Sequence, residues 1–344
     1  MGKKKIIVTG GTGFIGSHTV VELLESGYQV VIFDNLSNSK RNVLDNIFKI
    51  TGERPQFEYI DVSREDQVKR AFEKHTDAKA VIHFAALKAV GESVAKPLEY
   101  YRNNIFAILN VLNEMRNNEI INFIFSSSAT VYGQPEELPA TESSPVIPAI
   151  SPYGQTKQIG ENILRDAVMA YEGTLLGISL RYFNPIGAHP SALIGELPMG
   201  YPFNLMPHIT QTAAGIRGPV KVFGSDYDTA DGTAVRDYIH VVDVAQAHVV
   251  SVKRLLQKEQ EEPYEVFNIG TGNGFTVLQV IQSFERTSGL KLDYEIVGRR
   301  PGDAEKIYAG TRLALEKLGW QTKYSLDDMT KTAWAWEQNL RKSD

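Results

Sequence analysis

The sequence predicts an α/β fold in which a doubly wound parallel sheet is followed by a smaller, loop-rich α/β portion. Three observations predict it. Short β-branched runs alternate with helical stretches through the first half, a glycine-rich turn separates the first run from the first helix, and the alternation loosens after about residue 184. Strand–helix alternation requires right-handed crossovers, and these place helices on both faces of a parallel sheet.

Taken in order, "KKIIVTG" reads as a buried strand and "SHTVVELLESG" as an amphipathic helix ending at Gly27. "YQVVIFDN" is the next strand, and "EYIDVS" ends another. "AKAVIHFAA" and "INFIFSSS" are two more, separated by a helical stretch from about Pro97 to Asn117. A helix opens at "SPYGQTK", where Ser151 can cap and Pro152 suits the first position, and the strand "LLGISLRYFN" follows. Residues 184–235 are rich in Gly and Pro, the composition of loops around a ligand. A helix from about Val242 to Leu256, a strand "EVFNIGTG" and a helical tail "KTAWAWEQNL" complete the pass, with "QKEQEE" as a solvated surface loop.

Composition narrows the function classes. The 344 residues suffice for one large unit or two ordinary domains. A net charge of −5 gives no basic footprint, so neither nucleic acid nor an anionic membrane is expected as partner. No cysteine is present, which excludes disulfides, zinc–thiolate sites and a cysteine nucleophile and fits a reducing compartment. No metal site is expected. The opening "MGKKKIIVTGG" has too short an apolar run for a signal peptide or a spanning helix, so a cytoplasmic protein is expected.

"VTGGTGFIG" carries the first functional signal. Gly11, Gly13 and Gly16 satisfy G-x-G-x-x-G, while Gly10, Gly13 and Gly16 give G-x-x-G-x-x-G. Glycines here permit a tight turn and let the backbone approach a pyrophosphate at the positive helix end, the Rossmann-type arrangement. An acid is expected ~20 residues further on, at the end of the second strand, and Asp34 stands there. Asp34 would accept from an adenosine ribose diol and repel a 2′-phosphate, and Asn35 to Asn38 bring no arginine, so NAD is expected over NADP. Asp61, at another strand end, would hold the adenine or simply form a turn.

With a nicotinamide cofactor, the spacing of Tyr153 and Lys157 acquires a chemical reading. A hydride leaves a carbinol carbon only if the hydroxyl proton leaves too, so a base is required. Bringing a tyrosine from near 10 to about 7 takes roughly 4 kcal/mol of preference for the phenolate. A lysine one turn away, together with a positive nicotinamide, would supply it. Ser126, Ser127 and Ser128 end a buried strand at the carboxyl edge, where open α/β sheets place ligands, and one of them would orient the substrate hydroxyl.

These motifs together resemble the extended short-chain dehydrogenase/reductases, and within them the epimerases of nucleotide sugars. The likeness extends from about residue 6 to 310 through "DNLSNSK", "HFAALKAVGESVAKPLEYY", "FIFSSSATVYG", "LRYFNPIGAHPS", "NLMPHI", "DGTAVRDYIHV" and "RRPGD". The resemblance implies Tyr153 as base, Lys157 as its electrostatic partner and Ser128 as the serine of the trio. It implies cofactor contacts at Gly10, Gly11, Gly13, Phe14, Ile15, Gly16, Asp34, Asn35, Asn38, Ser39, Asp61, Val62, Phe84, Ala85, Ala86, Lys88, Asn103, Ser126 and Phe183, besides Tyr153 and Lys157. On the substrate side it implies Lys88, Ser128, Tyr153, Asn184, Asn204, Leu205, Lys221, Val222, Phe223, Arg236, Arg300, Asp303 and Ile307.

The implied reaction is reversible inversion at C4 of UDP-glucose and UDP-galactose, in galactose metabolism, through a 4-keto sugar. The expected division is residues 1–184 for NAD and the catalytic trio and 185–344 for the nucleotide sugar, with some later segments returning to the first part. A homodimer through the helices around Pro97–Asn117 and Tyr153–Tyr171 is also implied. Ile307 stands where the resemblance implies a hexose C2 gate, closed to a 2-acetamido group by tyrosine and opened by a small residue. Partial acceptance of UDP-N-acetylglucosamine is therefore expected. A dehydratase would need an acid pair where Ala129 and Thr130 stand. A plain nucleotide-sugar dehydrogenase would use the same trio, whereas a non-catalytic NAD sensor would have no need of it.

Overall fold

The computed structural model describes residues 2–300 and 304–343. Its first half runs β1 (Lys5–Thr9), α1 (Phe14–Glu25), β2 (Gln29–Asp34), α2 (Val43–Thr51), β3 (Gln56–Tyr59), α3 (Glu65–Phe72), β4 (Ala80–His83), α4 (Val90–Ala95), α5 (Pro97–Asn117) and β5 (Asn122–Ser128). A 3₁₀ turn over Ala129–Tyr132 precedes α6 (Pro152–Ala170) and β6 (Leu176–Tyr182).

The second half follows with β7 (Asn184–Ile186), α7 (Leu205–Ala213), β8 (Val220–Phe223), β9 (Val235–Arg236), β10 (Tyr238–His240) and α8 (Val241–Gln257). It ends with β11 (Tyr264–Ile269), β12 (Phe275–Thr276), α9 (Val277–Ser288), β13 (Tyr294–Val297), β14 (Lys306–Ile307) and α10 (Leu326–Ser343).

Seven strands form one parallel sheet in the order β11–β6–β5–β4–β1–β2–β3. The pleat divides its residues between two cores. Ile6 and Val8 face α1 and α8 with Val20, Leu24, Val244 and Val252, while Ile7 faces the other layer with Val68, Ile108, Val111, Leu164 and Val168. The order reverses between β1 and β4, the topological switch at which sheets of this kind bind ligands beyond their carboxyl ends.

The expected doubly wound sheet is therefore present, and the loop-rich remainder forms its own small core. Ile209, Val222, Ile281, Phe284 and Met329 bury one another there, between α7, β8, α9 and α10. Its strands are two to four residues long. Two later elements do not join that core: β11 is an edge strand of the main sheet, and α8 packs on α1. Helices α2 and α3 occupy the interval that the sequence reading left between strands.

Candidate active site

The glycine turn follows from close contacts. Gly10 has φ +70°, and a Cβ there would lie 2.8 Å from the Ala85 amide nitrogen. A Cβ on Gly16 would lie 2.2 Å from the Gly10 carbonyl oxygen, so any side chain would break the turn. No side chain caps the first amides of α1, so that positive helix end is open to an anion. This cradle, which a Cβ would fill, fits the pyrophosphate of a dinucleotide. Phe14 and Ile15 open the helix.

Asp34 ends β2 beside that turn, and its two oxygens accept from Thr12 N–H at 3.1 Å and Leu36 N–H at 2.8 Å. Each oxygen keeps a further lone pair for a ribose diol. Asn35 closes an Asx turn by accepting from Ser37 N–H at 3.0 Å, and the Ser39 hydroxyl lies 2.6 Å from that of Thr12. The 35–39 loop, including Asn38, is thereby tied down on the glycine turn. Asp61 also forms a turn, accepting from the backbone and hydroxyl of Ser63 at 2.9 and 2.7 Å through one oxygen. Val62 beside it is buried, and its carbonyl accepts from Asn110.

Phe84, Ala85 and Ala86 leave β4 directly against the turn. Phe84 N–H donates to Thr9 O at 3.0 Å and its ring lies 4.6 Å from that of His248. Asn103 donates to Asn104, which holds the 87 loop through both Leu87 N–H and Leu87 O and reaches Thr156 of α6 at 2.9 Å. Lys88 sits 5.9 Å over the Phe14 ring and 3.4 Å from Glu196, which also accepts from Asn204 at 2.6 Å.

The catalytic trio converges where β5 and α6 meet. Ser151 caps α6 by accepting from Gly154 N–H at 3.2 Å, with Pro152 at the first position. This fixes the turn that carries Tyr153 and Lys157, whose ammonium lies 5.8 Å over the tyrosine ring. Lys157 is buried and donates to Ser126 O at 2.6 Å. The Ser126 hydroxyl itself bonds the Tyr182 hydroxyl. Ser128 caps the 3₁₀ turn, accepting from Thr130 N–H at 3.2 Å, and its hydroxyl favours the ionised form of Tyr153.

Electrostatics show what the polypeptide does by itself. Burial pushes the Tyr153 phenol up to about 12, against the pull of Ser128. Burial also brings Lys157 down to about 8, and Glu161, one turn along α6, opposes that fall. Burial outweighs Ser128 here, so the phenolate preference expected from Lys157 and a positive nicotinamide together is not met by the chain alone.

Phe183, which the resemblance implies for the cofactor, is buried with Ala129, Tyr132 and Ile307 in one cluster beside the 3₁₀ turn, and Ile307 is among those implied for the substrate. Asn184 begins β7 with its side chain exposed, and Asn204 and Leu205 begin α7. Arg300 stacks 4.5 Å over the Phe223 ring. Val222 lies in the small core, so only its backbone can meet a ligand, and Lys221 is exposed 4.0 Å from Glu295. Arg236 pairs in register with Ile307 across β9 and β14. Asp303 lies outside the described residues.

Sequence reasoning missed the residues that hold these groups in place. Asp237 is fully buried and accepts from Thr271 N–H and Oγ, Gly272 N–H and Ala309 N–H at 2.6–3.1 Å. Burial raises its carboxyl, and those bonds oppose the rise. It buckles the strands that carry Arg236 and Ile307. Asn104, Glu161, Arg181 and Glu196 act similarly elsewhere, and the only available signal was an unexplained polar residue inside an apolar pattern.

The model of the "NAD dependent epimerase/dehydratase family" matches residues 6–270. UDP-glucose 4-epimerase 2 of Arabidopsis thaliana is 48% identical over 339 residues, 98% of this chain and 95% of its own. The crystal structure of UDP-glucose 4-epimerase from Stenotrophomonas maltophila, with bound NAD and formylated UDP-arabinopyranose, superposes with a TM-score of 0.95 at 44% identity, covering 99% of this chain and 100% of that one. The Bifidobacterium longum enzyme in complex with NAD⁺ and UDP gives 0.94 at 44% identity with the same coverage. The chain belongs to the NAD-dependent epimerase/dehydratase family.

Proposed function

We infer that this chain catalyses the reversible C4 epimerisation of UDP-glucose and UDP-galactose with NAD as its cofactor. The observation that carries this reading is the convergence of Ser128, Tyr153 and Lys157 in a sheet whose glycine turn has no room for a Cβ at Gly10 or Gly16. The full-length likeness to UDP-glucose 4-epimerases supports the substrate.

Inversion without net redox removes a proton from O4 and a hydride from C4, then returns both with the hydride on the opposite face. When bound, NAD accepts and gives back that hydride. Tyr153 takes the O4 proton, and the Ser128 hydroxyl, which acts on that phenol, orients the sugar hydroxyl. Lys157 stabilises the phenolate from one turn away, and its bond to the Ser126 carbonyl keeps it at that height. Gly10 to Gly16 and Asp34 would hold the cofactor's pyrophosphate and ribose. Arg236 and Arg300 would hold the UDP diphosphate, with Phe223 near the uracil. A firm grip on the nucleotide and a weak one on the hexose lets the keto sugar turn over.

Residues 1–184, with α8 and β11, serve the cofactor and the chemistry, and the rest of 185–344 serves the nucleotide sugar. A cytoplasmic homodimer is part of the same reading. The outer faces of α5 and α6 carry exposed Leu98, Phe106, Leu109 and Met169, a surface suited to a second copy. No helix among the described residues is long and apolar enough to cross a membrane. Sedimentation as a monomer at micromolar concentration would remove the dimer.

The purified protein, given UDP-glucose and no added NAD, is expected to yield UDP-galactose by NMR. Absence of product even with NAD supplied would overturn the assignment. Net NADH formation would favour the dehydrogenase alternative instead.

A further inference from the structure

Behind the catalytic trio lies a buried charge cluster that the mechanism above does not use. Glu161 follows Lys157 by one turn on α6, and both side chains are buried. Glu161 Oε1 accepts from Ser127 Oγ at 2.5 Å and from Arg181 Nε at 2.8 Å, and Oε2 accepts from Arg181 Nη2 at 2.6 Å. Arg181 Nη1 donates to the Tyr132 hydroxyl at 3.0 Å, and that hydroxyl donates to Asn268 Oδ1 at 2.6 Å. The cluster thus spans β5, α6, β6, the 3₁₀ turn and β11.

Two features need a cause. A buried ion pair adds little stability over an apolar filling of the same volume, so its presence is not explained by stability alone. Its position is also specific. Ser127 lies between Ser126, whose carbonyl takes the Lys157 ammonium, and Ser128, which acts on the Tyr153 phenol.

The groups around Lys157 make the electrostatic role concrete. Its own helix offers Tyr153 and Glu161, and β5 offers the Ser126 carbonyl and the Phe125 ring at 5.0 Å. His83 approaches from β4 and is kept neutral by burial. Arg181 and Tyr182 stand on β6, and Tyr100 on α5 acts on Tyr153. Of these groups, Glu161 alone is the anion.

We propose that Glu161 is a positioning residue for the reaction: it holds Lys157 cationic beside Tyr153 and, through Ser127, fixes the serine strand against α6. Arg181 aims the carboxylate through its two bonds. The proposal rests on the epimerase reading for its effect on turnover, but not for its effect on the lysine. Its geometry is reinforced by the opposition between burial, which draws the Lys157 proton off, and Glu161, which retains it.

The test is a pH titration of protein labelled with [ε-¹³C]lysine, the Lys157 resonance being assigned by its loss in Lys157→Met. In Glu161→Gln, which keeps shape and removes charge, Lys157 is expected to titrate about one pH unit lower than in the wild type. The alkaline limb of kcat for UDP-glucose is expected to move the same way. Titration coincident with the wild type would overturn the proposal, whatever rate is lost. If Glu161→Gln leaves Arg181 unpaired and does not fold, Glu161→Gln/Arg181→Met removes both charges. That double variant is expected to shift in the same direction by less, and a coincident or higher titration overturns the idea. A wild type that fails to epimerise UDP-glucose would defeat the functional reading, while the lysine titration would still decide the role of Glu161.

Discussion

On the dinucleotide side, Asp34, the glycine turn and Lys157 are carried at or beside the carboxyl edge of a seven-stranded sheet. On the sugar side, Asn204, Phe223, Arg236 and Ile307 are carried by strands of two to four residues and the ends of loops. The first region positions its groups through continuous backbone ladders. The second relies on single buckles, such as Asp237 with its four accepted bonds, and on one carboxylate, Glu196, joining Lys88 to Asn204. The contrast suits the inferred task, in which chemistry needs fixed geometry at Tyr153 while the hexose must turn.

The strongest way to sharpen that contrast is Tyr153→Phe. It removes the proposed base while leaving the sheet, the cap at Ser151 and the glycine turn untouched. Turnover of UDP-glucose is expected to fall by ~10²–10⁴-fold, the usual worth of a positioned general base. Cofactor content, measured by absorbance after denaturation, is expected to stay at the wild-type level. A variant retaining full activity would show that the base lies elsewhere and would revive a binding role for the trio.

How much was legible follows the same division. Ile6 to Val8, Val30 to Phe33 and Phe123 to Phe125 are buried on both faces, and such runs are readable because each residue obeys one rule. The spacing of Tyr153 and Lys157 was readable because it is local, four positions on one helix face. Arg236 and Ile307 were reached only by resemblance. Their juxtaposition depends on the parallel pairing of β9 with β14, in which Lys306 meets Val235 and Ile307 meets Arg236, and no periodicity announces two-residue strands. The level of the Tyr153 phenol is hard to read for a different reason: a sequence names the neighbouring charges but not the burial that opposes them.

Acid offers a second test, because buried histidines are concentrated on the sheet side. His18 and His83 are held at about 3 and His248 at about 4, in each case by burial. On the sugar side, His240 is also held at about 4. The folded values lie below the unfolded value of about 6.5, so the unfolded chain binds more protons in between. Stability is therefore fully present above about pH 6.5 and falls as pH drops towards 4, by about 1.4 kcal/mol per pH unit for each such histidine. His248→Phe replaces a ring set between Phe84 and Tyr182 and removes one titrating group. Denaturant midpoints between pH 6.5 and 4 are expected to decline less steeply in this variant. An unchanged slope would mean that the histidines do not control the acid limb.

The smallest expected effect belongs to the sugar side and concerns selectivity. Ile307 is 8% exposed and packs with Ala129, Tyr132 and Phe183, immediately beside the turn that Ser128 caps. Its backbone is fixed, since Ile307 O accepts from Asp237 N–H at 3.1 Å, so substitution alters the side-chain volume more than the strand. Ile307→Ser removes most of that volume and adds a hydroxyl, at a cost of about 2–3 kcal/mol in stability from the lost burial. If Ile307 bounds the C2 side of the hexose, the added space admits an acetamido group. The kcat/KM for UDP-N-acetylglucosamine is then expected to rise by about tenfold, within the range that a pocket of altered apolar volume can give. Activity on UDP-glucose is expected to change little, because Tyr153 and Ser128 are untouched. Full UDP-glucose activity without any gain on the N-acetyl sugar would remove Ile307 as a gate, leaving it a core residue of the 3₁₀-turn cluster. A gain on both sugars would instead indicate looser packing around Phe183, and the contrast between a fixed chemical side and a tunable sugar side would fail there.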